Sequence, residues 1–433
     1  MNELVTKNHD GRLAWLNRDG KKLLVTRMLR TFGYGYVAVV LGLYLEQLKL
    51  NAFEIGVIFS AAMAGSAVMT IFWSFYADRY GRRKTVGTMA LLMALGGLLF
   101  ALTNNFWLLL LGTFTGTISA TSAEVGSFIT VEQAVLPQTA PDNRRTWLFS
   151  VYNMLGNFAG AAGSLFAASV GLFAAWGLAG ADIYRPLFIL YAFIGLVNLL
   201  LFASLSDKVE LAKVEGKAKF VGLHRSRGTV AKLSLLFGID AFAGGFVVQS
   251  FVSYWFHLRW GLSPEILGVV FFWVGVLSGL SLLAAGWMAQ RFGLLNTMVF
   301  SHLPSNLLLI LVPLAPTWWL AVLFFLARMS ISQMDIPTRQ SYTMAVVAPE
   351  ERMATAGITN VARTLASAIS PIFAGMAVSA ASLGLPFFLS GGLKVLYDGL
   401  IYATFRNVHP PEEEAILAAR RTRKSVPISE RAG

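Results

Sequence analysis

Ionisable side chains interrupt several long apolar runs of this sequence, and their types could support proton transfer. A carboxylate in apolar surroundings can bind and release a proton, and a neighbouring cation favours its charged form. Three such carboxylates are Glu124, Asp240 and Asp335. We expect these three side chains to be candidate proton carriers, with nearby arginines as their partners.

Arginines and other polar side chains lie at helical spacing in the same kind of run. Arg30 and Tyr34 are about one helical turn apart, as are Asn360 and Arg363, so each pair shares one helical face. Arg328 lies near the middle of its apolar run. We expect these five residues to be switching partners of the carboxylates or anchors for a charged substrate.

A polar stripe precedes Glu124. Thr113, Thr117 and Thr121 recur before it at the spacing of one helical face. If this run is a continuous helix, the threonines and the carboxylate point the same way.

Some of these charges also have a purely structural interpretation. Asp335 and Arg339 are spaced as a helical ion pair, with a proline between them. Lys394 and Asp398 have the same spacing, and we interpret them as a structural pair. These interpretations predict salt bridges within single helices rather than a shared network.

Other charges lie near the ends of apolar runs. Arg27 either belongs with Arg30 or extends its guanidinium to the interface. Glu132 is close in sequence to the basic pair Arg144 and Arg145, and we expect it to pair with one of them.

The elements that position these side chains are membrane-spanning helices. Hydrophobic residues make up 56% of the 433 residues and charged residues only 13%, about half the charged share of a soluble protein. Apolar runs of about 20 residues recur, and in lipid such runs must be helical. The sequence predicts an all-α, polytopic membrane protein with twelve transmembrane helices. The predicted spans, numbered one to twelve, are 23–46, 54–76, 84–103, 106–130, 146–172, 185–206, 231–257, 265–288, 296–313, 318–345, 353–378 and 385–405.

The positive charges indicate the orientation. The net charge is +12, but most Lys and Arg residues fall on the side that carries both termini and the central loop. The opposite side receives Lys49, Arg185 and Arg259. This positive-inside bias predicts cytoplasmic termini, and the short loops and lean termini indicate a bacterial inner (plasma) membrane. The bilayer, rather than a nucleic acid, is therefore the expected partner of the basic residues.

Composition also argues against several kinds of chemistry. There is no cysteine, and the five histidines are scattered, so no disulfide, metal or cofactor is expected. The sequence lacks a phosphate-binding glycine loop and a clustered nucleophile, which argues against an ATP-driven pump and an enzyme.

The two halves of the chain repeat. A shift of 212 residues places Gly33 on Gly245 and Gly81 on Gly293, and a shift of 208 places Thr130 on Thr338. A diverged duplication predicts two pseudo-symmetric six-helix bundles. The expected units are two halves at 1–206 and 231–409, a cytoplasmic linker at 207–230 and a cytoplasmic tail at 410–433.

The loop between spans two and three carries a motif. Residues 78–84 are Asp-Arg-Tyr-Gly-Arg-Arg-Lys, which resembles the signature loop of the major facilitator superfamily. The resemblance implies a gating loop that helps to hold the two halves together in one state. The residues carried over are Asp78, Arg79, Gly81, Arg82 and Arg83.

The motif departs from the pattern in two places. Ser74 stands at the leading glycine of the motif, and Gln290 replaces the acidic residue in the second copy. We therefore expect the first half alone to carry the latch.

The resemblance also implies a central cavity lined by spans one, four, seven and ten, where the polar stripes lie. Gly156, Gly160 and Gly163 in span five loosely resemble a glycine motif of the drug–proton antiporters of the superfamily. The expected function is export of a small molecule by proton antiport and alternating access, by a monomer. Proton-coupled uptake of an organic anion, favoured by the arginines, is an alternative. A third possibility is a sensor with this fold that does not transport.

Overall fold

The computed structural model describes residues 15–122, 126–141, 145–210, 225–348, 351–380 and 382–408. Within these ranges the regular structure is helical, and no strand occurs. The α-helices are α1 (Arg18–Gln47), α2 (Ala52–Tyr80), α3 (Arg82–Leu102), α4 (Phe106–Phe114), α5 (Ser127–Val135), α6 (Arg145–Phe166), α7 (Val170–Ala175), α8 (Arg185–Ala203), α9 (Arg227–Gly245), α10 (Gln249–Trp260), α11 (Pro264–Phe292), α12 (Leu294–Leu311), α13 (Trp318–Ser332), α14 (Asp335–Ala345), α15 (Arg352–Ser379) and α16 (Leu385–Phe405).

Ten helical stretches in the described ranges are long and apolar enough to cross a membrane. The other two predicted spans deviate for identifiable reasons. Span twelve is the 21-residue α16, long enough to cross but less apolar because it contains Lys394 and Asp398. Span four is divided between α4 and α5. The prediction of an all-α polytopic protein with twelve crossings in two six-helix halves is confirmed.

The backbone repeats with the sequence. Helices α2 and α11 each contain 29 residues, and their bounds are related by the shift of 212. Gly81 and Gly293, which end these helices, have φ of 103° and 87°. Lys49 has φ of 66°, a conformation that side chains rarely adopt, and the residue 212 positions later is Gly261, also with φ of 66°. The duplication is thus preserved in turn geometry where the residue types have changed.

Three predicted spans are interrupted rather than continuous. Span four loses helical structure after α4, span seven is divided into α9 and α10, and span ten into α13 and α14. The expectation of one helical threonine stripe in span four is therefore wrong, because α4 ends at Phe114 and leaves Thr117 and Thr121 outside any helix.

The interruption of span four is enclosed by protein. Gly116, with φ of 71°, lies against the backbone of α2, where a side chain would not fit. Ser250 donates its N–H to the carbonyl of Ala120 at 3.1 Å, and Ser122 donates its N–H to the Gln249 side chain at 3.1 Å. The breaks of spans four and seven therefore satisfy each other's polar groups, as irregular structure at membrane depth requires.

The two halves touch near one face of the protein. We call the face at which α1 begins and α16 ends the terminal face; the contacts lie toward the opposite face. Ser253 of α10 donates to the Val39 carbonyl of α1 at 2.6 Å, and Ile372 of α15 donates its N–H to Ser60 of α2 at 3.1 Å. Gly56 allows the backbones of α2 and α15 to approach so closely that a Cβ would lie 2.5 Å from a carbonyl oxygen.

Candidate transport cavity and its charge clusters

A cavity of about 670 Å³ lies between the two halves, in the size range of small-molecule sites. Ser66, Thr70 and Asn360 contribute polar surface, whereas Ile71 and Val361 contribute apolar surface. These residues lie in the segments of α2 and α15 nearer the terminal face. Because the halves touch at the opposite face, the cavity opens toward the terminal face.

Asp240 of α9 is at the centre of the charges in the cavity wall. Lys394 of α16 places Nζ 2.6 Å from Asp240 Oδ1, and Arg363 of α15 places Nη1 3.1 Å from Oδ2. All three residues line the cavity. Asp240 is only 3% exposed, so the two cations offset much of the cost of burying its charge.

A second arginine connects Asp240 to a further carboxylate. Arg339 of α14 donates from Nη1 to Asp240 at 3.2 Å and to Asp335 at 2.6 Å. The expected pair of Asp335 and Arg339 therefore exists, but as part of a network that spans four helices. The break between α13 and α14 lies directly before Asp335.

A histidine and a third carboxylate lie behind Asp240. His302 of α12 places Nδ1 2.8 Å from Asp398 Oδ1, and its Nε2 is 3.9 Å from Asp240 Oδ1. Asn306 donates to Asp398 Oδ2 at 2.8 Å. The interpretation of Lys394 and Asp398 as a structural pair is wrong, because each side chain has another partner. Lys394 contacts Asp240, and Asp398 contacts His302. Packing against α9 and α12 overrides the spacing within α16.

The first half contains a separate charge cluster. Arg30 of α1 donates to Glu132 of α5 at 2.7 Å, and both side chains have no exposed surface. Tyr152 donates to the same carboxylate at 2.6 Å, and the Arg30 guanidinium lies over the Phe128 ring at 4.3 Å. Glu132 thus pairs with Arg30, a partner that the spacing did not indicate, and its expected pairing with Arg144 or Arg145 stays a prediction. Arg144 and the side chain of Arg145 lie outside the described residues.

The signature loop packs against the first half and the start of the linker. Asp78 accepts from Arg82 Nε at 2.8 Å, while Arg83 donates to Asp207 at 3.0 Å. Glu210 accepts the backbone N–H groups of Arg82 and Arg83 at 2.7 and 3.1 Å, a favourable place for a carboxylate at the start of α3. The loop therefore holds the beginning of the linker in this conformation.

Four of the expected cavity residues line the cavity: Tyr34, Asp240, Asn360 and Arg363. They come from α1, α9 and α15, so two helices of the second half and one of the first contribute them.

The other expected residues lie elsewhere. Arg30 is enclosed in its pair with Glu132, and Asp335 stands behind Arg339. Arg328 donates to the neighbouring Met329 sulfur at 3.1 Å. Glu124 lies outside the described residues. Lys394 was expected only in a structural pair with Asp398. His302 was not expected at the site, because a single histidine in an apolar run gives no periodic pattern.

Metal binding has no support in the described part of the chain. There, no group of three or more His, Asp or Glu side chains is arranged to hold an ion.

Two six-helix halves, a cavity between them and a buried charge network at its wall define a polytopic membrane protein of the secondary-transporter class. The family model of the Major Facilitator Superfamily matches residues 23–259 and 233–430. The chain belongs to this superfamily, which confirms the resemblance of the signature loop.

Individual proteins resemble the chain over most of its length. An uncharacterised membrane protein of Saccharomyces cerevisiae is 27% identical over 425 residues, which cover 90% of this chain and 95% of that protein. The multidrug resistance protein MdtG of Citrobacter koseri is 29% identical over 315 residues, 68% of this chain and 72% of that protein. A bacterial homologue of the human lysosomal transporter Spinster, solved in an inward-facing and occupied conformation, superposes with a TM-score of 0.72. It is 16% identical and covers 89% of this chain and 96% of its own, so it shows the likeness of fold.

Proposed function

We propose that this protein exports a small molecule across the membrane in exchange for protons. The observation that carries the proposal is the buried Asp240 carboxylate at the cavity wall, contacted by cations from three other helices. The similarity to MdtG proteins, whose name refers to multidrug resistance, supports export over uptake.

Asp240 offers a direct way to couple a proton to movement. A proton and the cations compete for the same two carboxylate oxygens of Asp240. Protonation of Asp240 is therefore favoured only when Lys394 or Arg363 moves away. These two cations reach the carboxylate from α16 and α15, and a change in the relative position of the helices alters both contacts. Protonation of Asp240 thus favours one arrangement of the helices and deprotonation the other.

Access would alternate by rocking of the halves. In the present conformation the cavity opens to the terminal face, which we assign to the cytoplasm of a plasma (inner) membrane from the positive-inside bias. Opening to the other side requires the contacts of Val39 with Ser253 and of Ser60 with Ile372 to separate. We propose that the signature loop, through Asp78 and Arg79, then forms the latch that closes the terminal face. A single chain is sufficient for this cycle.

A second candidate is proton-coupled uptake of an organic anion. Its specific support is that the charged residues among the described cavity-lining side chains are Asp240, Arg363 and Lys394, which leaves one excess positive charge. An anionic substrate could take the place of Asp240 as the partner of Lys394 and Arg363.

The test uses purified protein in liposomes that contain a pH-sensitive dye, under an imposed pH gradient. The panel consists of ethidium as a lipophilic cation, a neutral drug and an organic anion such as benzoate. We expect one class to drive proton flux that Asp240→Asn abolishes. The matched control is Asp182→Asn, which removes an exposed carboxylate paired with Arg185 outside the cavity.

The outcome separates the hypotheses. Proton flux opposite to the compound supports antiport, and flux in the same direction supports symport. Compound movement without proton flux would contradict proton coupling. Binding of a compound without any movement would favour a sensor.

A further inference from the structure

His302 connects the cavity wall to a carboxylate outside the cavity. Its Nε2 faces Asp240 at 3.9 Å, and its Nδ1 faces Asp398 at 2.8 Å. All three side chains are buried, with exposures of 3% for His302 and Asp240 and 1% for Asp398. The Tyr397 ring stands edge-on to the imidazole at 6.0 Å between centroids, which restrains the ring between the two carboxylates. Asp240 lines the cavity, whereas Asp398 is not among the described residues that line it.

The distances distinguish the two contacts. The interaction with Asp398 is a hydrogen bond, but 3.9 Å to Asp240 is too long for one. A movement of about 1 Å would bring Nε2 into hydrogen-bonding range of Asp240. Asp240 Oδ1, the oxygen that faces His302, is also the oxygen bound by Lys394. A shift of α16 that withdraws Lys394 would therefore free this oxygen for the imidazole.

The surrounding charges make the proton on this group depend on conformation. The charged or titratable groups around His302 and Asp240 are Asp240 on α9, Arg328 on α13, Asp335 and Arg339 on α14, Arg363 on α15, and Lys394, Tyr397 and Asp398 on α16. Four of these carry positive charge and three carry negative charge. While all cations remain in place, an additional proton is opposed by this excess. When Lys394 or Arg363 withdraws, positive and negative charges are equal in number and the opposition is lost.

We propose that His302 and Asp398 form an internal proton store behind Asp240, with His302 as the relay. A proton enters from the cavity onto Asp240, and the new O–H then donates to His302 Nε2. As Nε2 takes this proton, the Nδ1–H proton passes to Asp398 Oδ1. Asp240 is again a carboxylate, Asp398 is a carboxylic acid, and His302 has exchanged one neutral tautomer for the other. Asn306 holds Asp398 Oδ2 throughout and acts as a positioning residue.

This inference rests on the proposed proton coupling, but its first test needs no transported substrate. Infrared difference spectra of the full chain in lipid vesicles, taken between alkaline and acidic buffer, record carboxylates that become carboxylic acids. We expect a buried carboxylic-acid band that Asp398→Asn removes. In His302→Gln the pH at which this band appears should shift by about one unit or more, because a hydrogen-bonded partner is lost.

The matched control is His257→Gln. His257 also lies near a carboxylate, with Nε2 3.6 Å from Glu46, but on α10 toward the opposite face. This variant should leave the band unchanged. A band that persists with unaltered pH dependence in both Asp398→Asn and His302→Gln overturns the proposal. A band that is lost in Asp398→Asn but titrates normally in His302→Gln overturns the relay. Should Asp398→Asn fail to fold, Asp398→Glu takes its place, with a displaced band as the expected result.

A second measurement uses the compound from the panel that drives proton flux. We expect His302→Gln to lower proton-driven transport by about a hundredfold, while exchange of the same compound at equal pH on both sides continues. Equal loss of both activities overturns the relay, because it indicates damage to binding or rocking. If no compound drives proton flux, the proposed function fails and the infrared result still decides whether the store exists.

Discussion

The two halves of this transporter carry charge pairs at corresponding spans, but with opposite arrangements. In the first half the cation, Arg30, is on span one and the carboxylate, Glu132, is on α5 just beyond the predicted end of span four. In the second half the carboxylate, Asp240, is on span seven and the cation, Arg339, is on span ten. The first cluster is enclosed by aromatic rings and does not border the cavity. The second borders the cavity and extends through four helices.

The difference indicates a division of labour between the halves. A buried pair without access to water can hold helices together but has no route for protons. A network with one side on a cavity can exchange partners when a ligand or a proton arrives. We therefore infer that coupling belongs to the second half, whereas the Arg30–Glu132 pair maintains the packing of the first.

The largest expected effect on stability comes from breaking the enclosed pair. Glu132→Ala removes the carboxylate from a fully buried arginine and should lower the free energy of unfolding by about 3–5 kcal/mol. Replacement of both partners, Arg30→Met with Glu132→Met, should recover most of this loss. Reversible unfolding in detergent, followed by circular dichroism, measures both variants. A cost below about 1 kcal/mol for Glu132→Ala would contradict the inference that this pair maintains packing.

Asp240→Asn should have a smaller structural effect and a larger functional one. Lys394 and Arg363 can reach water in the cavity, and Arg339 keeps Asp335, so we expect a loss of about 1–3 kcal/mol. Proton-driven transport should fall to the level of protein-free liposomes. The same unfolding assay and the dye assay provide the two values. Retention of proton flux would show that a residue other than Asp240 couples protons to transport.

Replacing Arg339 should cost more stability than replacing Arg363, because the two side chains differ in exposure. Arg363 is 26% exposed on its cavity side, whereas Arg339 is 9% exposed and bridges two carboxylates. Arg363→Gln should cost at most about 1 kcal/mol, and Arg339→Gln about 1–3 kcal/mol. Transport of an anion, if that is the substrate, should weaken only through Arg363→Gln at matched stability. Equal unfolding midpoints for the two variants would contradict this distinction.

The smallest effect on stability is expected in the signature loop. The Asp78 side chain is 58% exposed, and its pair with Arg82 has the i, i+4 spacing of a surface pair. Asp78→Asn should therefore change stability by no more than about 0.5 kcal/mol. If the loop is a latch, the same variant slows transport nonetheless. Normal transport rates in this variant would leave the loop with a structural role.

Sequence patterns predicted the spans because lipid forces apolar runs into helices and leaves little choice of structure. They did not predict the breaks, since a hydropathy window responds to composition and not to backbone conformation. Gly116 and Gly126, both with positive φ, were the available signals for the break in span four. The repeat was predictable because the same residue types recur at a fixed shift, as Gly81 and Gly293 do.

The site was only partly predictable. The sequence shows that Asp240 and Arg363 lie within apolar runs, which is enough to identify them as candidate site residues. Spacing could not show which charges contact each other. Asp240 and Lys394, for example, are distant in sequence and meet only through the packing of α9 against α16. For the same reason the spacing of Lys394 and Asp398 suggested a pair that the neighbouring helices do not permit.

The close approach of α2 and α15 at Gly56 is a pivot point for the part of α2 that lines the cavity. From that contact to Ile71, near the cavity, α2 extends for about 22 Å at 1.5 Å per residue. While the two halves remain in contact here, a tilt of roughly 10° about this point would move the part of α2 at the cavity by about 4 Å. We therefore expect a substitution at Gly56, which would push α2 and α15 apart at this point, to change the width of the cavity mouth although Gly56 is not among the lining residues.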